Sequence, residues 1–217
     1  MSISTIVQML GEGALTSLLI FGFTLVGSLP LGLLVAFGRM SKLAPIRWLM
    51  RFYISIMRGT PLILQLFIVY FGPFYLFGVS MGTDYRFTAT LIAFILNYAA
   101  YFGEIYRSGI ESIPKGQYEA ATVLGYSRTK TFVRIIFPQV IKRILPPLTN
   151  EIITLVKDTA LAFTLGVAEM FTQARAIVSS QGNLMAFLIA GIFYYVFNAG
   201  VAFIMERVEK AFAYYHE

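Results

Sequence analysis

Three long runs without a charged residue dominate the pattern of apolar and polar positions along the chain. Residues 13–38, 59–83 and 176–205 contain no Asp, Glu, Lys or Arg. Each run exceeds the roughly 20 residues that an α-helix needs to cross a lipid bilayer. The pattern therefore predicts an all-α, polytopic membrane protein.

Five membrane-spanning helices are predicted when the shorter apolar stretches are included. They cover about 14–38, 48–72, 86–108, 144–169 and 184–206. The 217 residues form a single transmembrane domain in this interpretation, because the chain is too short for a second soluble domain. The outer connections are residues 73–85 and 170–183, and the longest polar connection is about 108–143.

The basic residues predict the orientation of these spans. With the N-terminus outside, 14 of the 17 Lys and Arg residues lie in or beside cytoplasmic segments, and only Arg86 and Arg175 lie outside. Basic residues favour the cytoplasmic side. We therefore expect an outer N-terminus and a cytoplasmic C-terminus. The same placement explains the net charge of +6 without nucleic acid as a partner.

The composition leaves little for catalysis. Only 13% of the residues are charged, there is no cysteine, and the single histidine, His216, lies near the C-terminus. Disulfides, thiolate chemistry and cysteine metal ligands are excluded. No Ser-His-Asp set, Cys-His pair or metal-ligand cluster is recognisable. We expect no catalytic residue and no metal site.

The polar segment 108–143 predicts two short helices bent around a glycine at the membrane surface. Pro114 suits a helix start because its missing N–H is not needed in the first turn. Good helix formers follow from Gln117 to Leu124, and Gly125 suits a left-handed helix end. A second helix is predicted from Thr129 to Phe137, where Pro138 would interrupt it.

This segment also carries a spaced motif. Glu119-Ala120-Ala121 is followed after three residues by Gly125, and nine residues later by Ile135-Ile136-Phe137-Pro138. A protruding helix with small side chains at 120 and 121 suits a groove on a partner protein, and Glu119 is able to pair with a basic residue there. An ordinary interfacial helix without a partner is the alternative for an isolated Glu-Ala-Ala triplet.

The full spacing resembles the coupling-loop motif of bacterial ABC importer permeases, and in particular the polar amino acid permease family. The resemblance covers roughly residues 14–210, and the stretches that carry it are Arg58-Gly59-Thr60-Pro61, Gln65-Leu66-Phe67, Asn97-Tyr98, Glu104-Ile105-Tyr106-Arg107, Ile113-Pro114-Lys115-Gly116-Gln117, Pro146-Pro147, Asn150-Glu151 and Lys157-Asp158-Thr159-Ala160-Leu161. The family more often has Ser where this chain has Ala160.

The resemblance implies a type I importer permease in the bacterial cytoplasmic (inner) membrane, without enzymatic activity of its own. It implies a path formed with a second permease copy or a paralogue, as the odd number of spans also suggests. It further implies ATP-binding cassette subunits on the cytoplasmic loops, contacted through Glu119, Ala120, Ala121 and Gly125, and an extracytoplasmic amino acid-binding protein. The expectation is that ATP and Mg²⁺ bind the partner ATPase, since the chain has no GxxxxGK[ST] motif.

Ionisable residues at membrane depth are costly and mark functional sites. Asn97, Tyr101 and Glu104 share one face of the third span, and Glu151, Thr154 and Asp158 share one face of the fourth. Our hypothesis is that Glu104 and Asp158 face the translocation cavity and bind the ammonium or basic side chain of an amino acid. Asn97 belongs to the same face, and Thr159 or backbone N–H groups are candidates for the substrate carboxylate.

Alternatives remain open for several of these residues. Glu104 is also able to pair with Arg107 one helix turn later. Lys157 and Asp158 are able to neutralise each other, or Lys157 acts in gating or assembly. Glu151 is assigned a structural role near the inner boundary.

The segment around Arg58-Gly59-Thr60-Pro61 is predicted to kink, because Gly59 and Pro61 both weaken a regular helix. The kink either shapes the cavity and brings Arg58 to a gate, or marks a helix start at the surface. Gln65, one turn later, is a further candidate for the cavity wall.

Three classes of function follow. The first is a permease subunit of an ATP-driven amino acid importer. The second is a non-transporting membrane anchor or sensor that recruits an ATPase, and the third is an integral membrane enzyme. Buried carboxylates favour transport, because a sensor needs no charge-matched path.

Overall fold

The computed structural model describes residues 2–212, which form nine α-helices and two irregular helical segments without any strand. The α-helices are α1 (Ile3–Arg39), α2 (Ala44–Gly59), α3 (Leu62–Phe77), α4 (Tyr85–Glu111), α5 (Lys115–Val123), α6 (Arg128–Thr131), α7 (Phe137–Asp158), α8 (Met170–Gln181) and α9 (Met185–Phe212). A π-helical segment, Phe132–Ile136, precedes α7, and a 3-10 helix, Thr159–Leu165, follows it. The all-α prediction is confirmed; His216 lies outside the described residues.

Helices α1 and α4 form the centre of the bundle because small residues let them approach closely. A Cβ atom on Gly32 would lie 2.8 Å from Phe102 Cβ, and one on Gly103 would lie 2.7 Å from Val35 Cγ1. Inside a bilayer the hydrophobic effect does not drive helices together. Small residues promote their association because they let two helices approach closely. Gly27, Gly32 and Gly38 of the first predicted span are therefore packing residues, whereas a Cβ atom on Gly22 would meet nothing within 4 Å.

Of the helices in the described part of the chain, three are each long and apolar enough to cross a membrane, namely α1, α4 and α9. They correspond to the first, third and fifth predicted spans. The fourth predicted span corresponds to the second half of α7 and the 3-10 helix, and α7 does not meet the same criteria of length and hydropathy. The count of five spans therefore stays a prediction.

The second predicted span is wrong as a single helix. The chain breaks at Thr60 and Pro61, and the axes of α2 and α3 differ by 111°. Thr60 is extended (φ −123°, ψ 148°) because the proline ring disfavours a helical residue before it, and Pro61 then precedes the first turn of α3. The predicted kink is confirmed, and it is both a bend and a helix start.

The end of α3 also differs from the prediction. Gly72 and Pro73 lie inside the helix, which continues to Phe77. The helix ends there because Gly78 adopts a left-handed conformation (φ 68°) and its N–H donates to the Phe74 carbonyl.

Helix α2 is amphipathic and packs with one face only. The packed face forms a small core with Val35 of α1 and Ala100 of α4. Its residues are Met50, Tyr53, Ile54 and Met57. Another face is exposed and carries Trp48 and Phe52, whose rings stack with centroids 5.7 Å apart. The hydroxyl of Tyr53 donates to the Leu96 carbonyl, which ties α2 to the middle of α4.

The polar segment folds as two short helices around a glycine, as predicted. Pro114 precedes α5, and Gly125 has a φ of 76° just after it. The prediction that Pro138 interrupts the second helix is wrong, because α7 begins at Phe137 and runs through it. The widened turn at 132–136 accommodates the proline: Phe137 N–H donates to the Phe132 carbonyl, five residues back.

Candidate functional site

A polar cavity of about 370 Å³ opens between α4, α7 and the break that separates α2 from α3. Its lining comprises Thr60, Pro61, Leu62, Asn97, Tyr98, Tyr101, Glu151, Thr154 and Asp158. The predicted shared face of Glu151, Thr154 and Asp158 on α7 is thus one wall of this cavity. Two carboxylates inside an apolar bundle make the cavity suited to a cationic group.

Asp158 is held in place by a tyrosine from the facing helix. The buried Tyr98 of α4 donates its hydroxyl to Asp158 Oδ2 at 2.7 Å. Thr159, predicted to bind a carboxylate, is fully buried, and its hydroxyl donates to the Val156 carbonyl at 2.8 Å. The α-helix does end at Asp158, but this bond leaves the Thr159 hydroxyl directed at its own helix.

The amides of Gln65 and Asn97 stabilise the break. Gln65 Nε2 donates to the Met57 carbonyl at 3.0 Å and to Thr60 Oγ1 at 2.9 Å. Asn97 Nδ2 donates to Gln65 Oε1 at 2.9 Å and to the Met57 carbonyl at 3.0 Å. Asn97 lines the cavity, whereas Gln65 lies behind it and is buried. The two amides satisfy backbone carbonyls that the broken helix leaves free.

Arg58 lies at the edge of the cavity, at the end of α2. Its guanidinium carbon is 5.1 Å from the centroid of the Tyr101 ring, in a cation–π contact. The side chain is exposed, and within residues 2–212 it forms no ion pair. A positive charge thus lies beside Tyr101, at the edge of the cavity that the carboxylates of α7 line.

Glu104 is not part of the cavity lining. Its Oε1 accepts a hydrogen bond from Arg107 Nε at 3.0 Å, and Arg107 also forms an ion pair with Glu111. This is the pairing that the sequence left open as an alternative. Glu151 is the reverse case: the sequence assigned it to the inner boundary, yet its side chain lines the cavity. Lys157 is exposed and on a different side of α7 from Asp158.

The predicted docking motif exposes only part of its side chains. Glu119 and Ala120 are exposed, whereas Ala121 is 1% exposed and packs inside the chain. The sequence analysis missed Val123 and Leu124, which are 87% and 73% exposed at the end of α5. The sequence did contain a signal for an exposed apolar surface, namely two apolar residues directly before the helix-ending Gly125 in a polar segment. The exposed surface at this end of the loop therefore includes Glu119, Ala120, Val123 and Leu124.

A second buried carboxylate network joins α1, α8 and α9. Glu169 is fully buried and accepts hydrogen bonds from the backbone N–H groups of Phe171 (2.7 Å) and Thr172 (2.6 Å). The hydroxyls of Tyr194 (3.2 Å) and Ser17 (3.4 Å) also donate to it. Sequence reasoning missed this network. An acidic residue three positions before Thr172 is a possible helix cap, but nothing local indicates the partners on α1 and α9.

These features define a class of protein. It is a helical membrane protein with a charged cavity inside its bundle and an exposed short helix, α5, on one polar loop. Residues 28–214 match the family described as binding-protein-dependent transport system inner membrane component. The chain belongs to this family of permease subunits of ABC transporters.

Named relatives agree with this assignment. The chain is 40% identical over 182 residues to the L-cystine transport system permease protein TcyB of Bacillus subtilis, covering 83% of this chain and 76% of that protein. It is 38% identical over 200 residues to the arginine transport system permease protein ArtQ of the same organism, covering 92% and 90%.

Solved structures agree on the fold. A crystal structure of an amino acid ABC transporter with histidines superposes with a TM-score of 0.86 at 31% identity, covering 97% of this chain and 99% of that one. The inward-facing MetNI methionine ABC transporter superposes with a TM-score of 0.75 at 19% identity, which supports the fold alone.

Proposed function

We propose that this chain is the transmembrane permease subunit of an ATP-driven amino acid importer in the bacterial inner membrane. The observation that carries the proposal is the cavity lined by Glu151 and Asp158 of α7 and by Tyr101 of α4, with Arg58 against Tyr101 at its edge. A free amino acid is a zwitterion, and its two charges must both be matched inside a low-dielectric passage. The relatives that transport cystine and arginine favour the same substrate class.

The cavity suggests how the two charges are divided. Glu151 and Asp158 bind the ammonium group or a basic side chain, since they are the carboxylates that line the cavity. Arg58 binds the substrate carboxylate through its exposed guanidinium, whose planar donor fork suits a carboxylate. Asn97 and Gln65 hold the break that presents Arg58, and Glu104 holds Arg107.

The proposal includes partners outside this chain. ATP-binding cassette subunits dock on Glu119, Val123 and Leu124 of the polar loop, and ATP with Mg²⁺ binds to those subunits. A second permease copy or a paralogue completes the path, and an amino acid-binding protein delivers substrate from outside. The N-terminus lies outside and the C-terminus in the cytoplasm, as the basic residues favour.

The test is reconstitution of the chain with its ATPase and binding protein in proteoliposomes, with a panel of amino acids. We expect one subset of amino acids to stimulate ATP hydrolysis and to accumulate inside. Glu151→Gln and Asp158→Asn should each raise the apparent KM for uptake by about 10- to 100-fold, since a charge-assisted hydrogen bond contributes about 1.5–3 kcal/mol.

Glu12→Gln is the matched control, because Glu12 is exposed on α1 away from the cavity. Wild-type KM in both cavity variants would remove Glu151 and Asp158 from the binding site. A wild-type complex that hydrolyses ATP without accumulating any amino acid would instead support the sensor alternative.

A further inference from the structure

The two helices that carry the cavity wall are also tied together at their cytoplasmic ends. Arg143 Nη1 of α7 donates to the Ser112 carbonyl at 2.6 Å, just beyond the end of α4. The same nitrogen lies 3.1 Å from Ser112 Oγ, which donates to the Gly109 carbonyl at 2.7 Å. Arg143 therefore binds the last turn of α4 at the point where the chain enters the polar loop.

The two helices also pack closely beside these hydrogen bonds, where the side chain of Ile144 lies against Gly109. A Cβ atom built on Gly109 would lie 2.1 Å from Ile144 Cγ2 and 3.6 Å from Ile144 Cβ. Opposite Ile144, only glycine allows α4 to approach α7 so closely, because the 2.1 Å contact is with the Cγ2 atom of that isoleucine. We call Gly109, Ser112, Arg143 and Ile144 the inner clamp.

The other ends of the same helices are joined as well. Tyr98 of α4 donates to Asp158 at the end of α7, and buried residues of both helices between these two ties belong to one core, among them Phe102, Leu148 and Leu155. Helices α4 and α7 therefore form a single packed body. The loop that carries α5 leaves and re-enters this body at the inner clamp.

We propose that the inner clamp, through Arg143, is the positioning element that makes the polar loop and the cavity wall move as one body. This inference rests on the proposed function. A displacement of the exposed end of α5 is transmitted to Tyr101 and Glu151 only while the two roots of the loop stay together. These roots are the end of α4 at Ser112 and the first turns of α7, up to Arg143. If the roots separate, the loop yields locally and ATP hydrolysis no longer moves the cavity wall.

The first experiment measures amino acid molecules transported per ATP hydrolysed in the reconstituted complex. Arg143→Gln should lower this ratio about tenfold with the apparent KM for substrate unchanged, because one charge-assisted hydrogen bond corresponds to roughly that factor in an equilibrium constant. Arg134→Gln is the matched control: it removes the same charge from the same segment, and Arg134 is exposed. Its ratio should equal that of the wild type.

The second experiment replaces the clamp by a covalent bond. The chain contains no cysteine, and the Cβ separation of 3.6 Å at this site lies within the range of disulfides. The double variant Gly109→Cys/Ile144→Cys should keep its transport ratio when oxidised. In the Arg143→Gln background, oxidation should restore the ratio and a reductant should remove it again.

The outcomes separate the two proposals. A wild-type complex without amino acid-stimulated ATP hydrolysis refutes the proposed function. An active wild-type complex whose ratio is unchanged by Arg143→Gln refutes only the clamp. Loss of transport on oxidation of the cysteine pair in the wild-type background, recovered by reductant, also refutes it, since the roots would then have to separate. If Arg143→Gln fails to assemble, the cysteine pair alone decides.

Discussion

The network around Glu169 gives a prediction whose size can be worked from its contacts. Five donors converge on one fully buried carboxylate: the backbone N–H groups of Phe171 and Thr172 and the hydroxyls of Ser17, Thr172 and Tyr194. In Glu169→Gln, one of the two acceptor oxygens becomes an NH₂ group of nearly the same size. Whichever oxygen is replaced, the new donor faces a backbone N–H of α8.

The cost follows from the groups that lose their acceptor. Oε1 serves Thr172 N–H and its hydroxyl, and Oε2 serves Phe171 N–H, Ser17 and Tyr194. Each buried donor left unsatisfied costs about 1–3 kcal/mol. With part of the network relaxing, we expect a loss of about 3 kcal/mol. For a chain of this length that corresponds to a fall in Tm of about 6–12 °C.

The assay is thermal unfolding of the purified chain in detergent, with Glu12→Gln as the control for an exposed glutamate on α1. The control should melt within about 2 °C of the wild type, as surface substitutions usually do. A Glu169→Gln variant that also melts within that interval would refute the reasoning, because the carboxylate would then contribute no more than an exposed one.

Two further substitutions test the close packing of α1 against α4 and the proposed docking surface at the end of α5. Gly32→Val should destabilise the chain by about 1–3 kcal/mol by overpacking the contact with Phe102, whereas Gly22→Val, with nothing within 4 Å of the new Cβ, should not; equal melting temperatures for the two variants would contradict the close approach of α1 and α4. Leu124→Asp should weaken binding of the ATPase subunit at least about tenfold in a pull-down titration, since it places a charge where an apolar contact forms. Val133→Asp should not weaken it, because Val133 is 57% exposed in the same polar segment but outside the proposed docking surface; equal affinities of the two variants would exclude the end of α5 from the interface.

Local signals in the sequence predicted most of the architecture. The uncharged runs marked α1, α3 and α9, and prolines and glycines marked the breaks at Pro61 and Gly125. These features depend on neighbours along the chain, so one sequence suffices to read them. The number of spans and the course of the chain at Pro138 were harder, because a π-helical turn and a polar α7 depend on packing.

The candidate site shows the same division. The shared face of Glu151, Thr154 and Asp158 was predictable from helical spacing, and that face lines the cavity. The choice between Glu104 and Glu151 was not, since it depends on which face of each helix meets the space below the break. Glu104 pairs with Arg107 rather than facing the cavity. This pairing was a local alternative in the sequence, because it needs no partner on another helix. Contacts such as Tyr98 with Asp158 have no sequence signal.

Trp48 is the only tryptophan of the chain, and it lies exposed on α2 with its ring stacked on Phe52. The last turn of that helix contains Arg58, which lies at the edge of the cavity. The protein thus contains a natural fluorophore on the helix whose far end borders the cavity. Its emission wavelength and quenching report, without any label, whether loading the passage shifts that helix between lipid, water and protein surroundings.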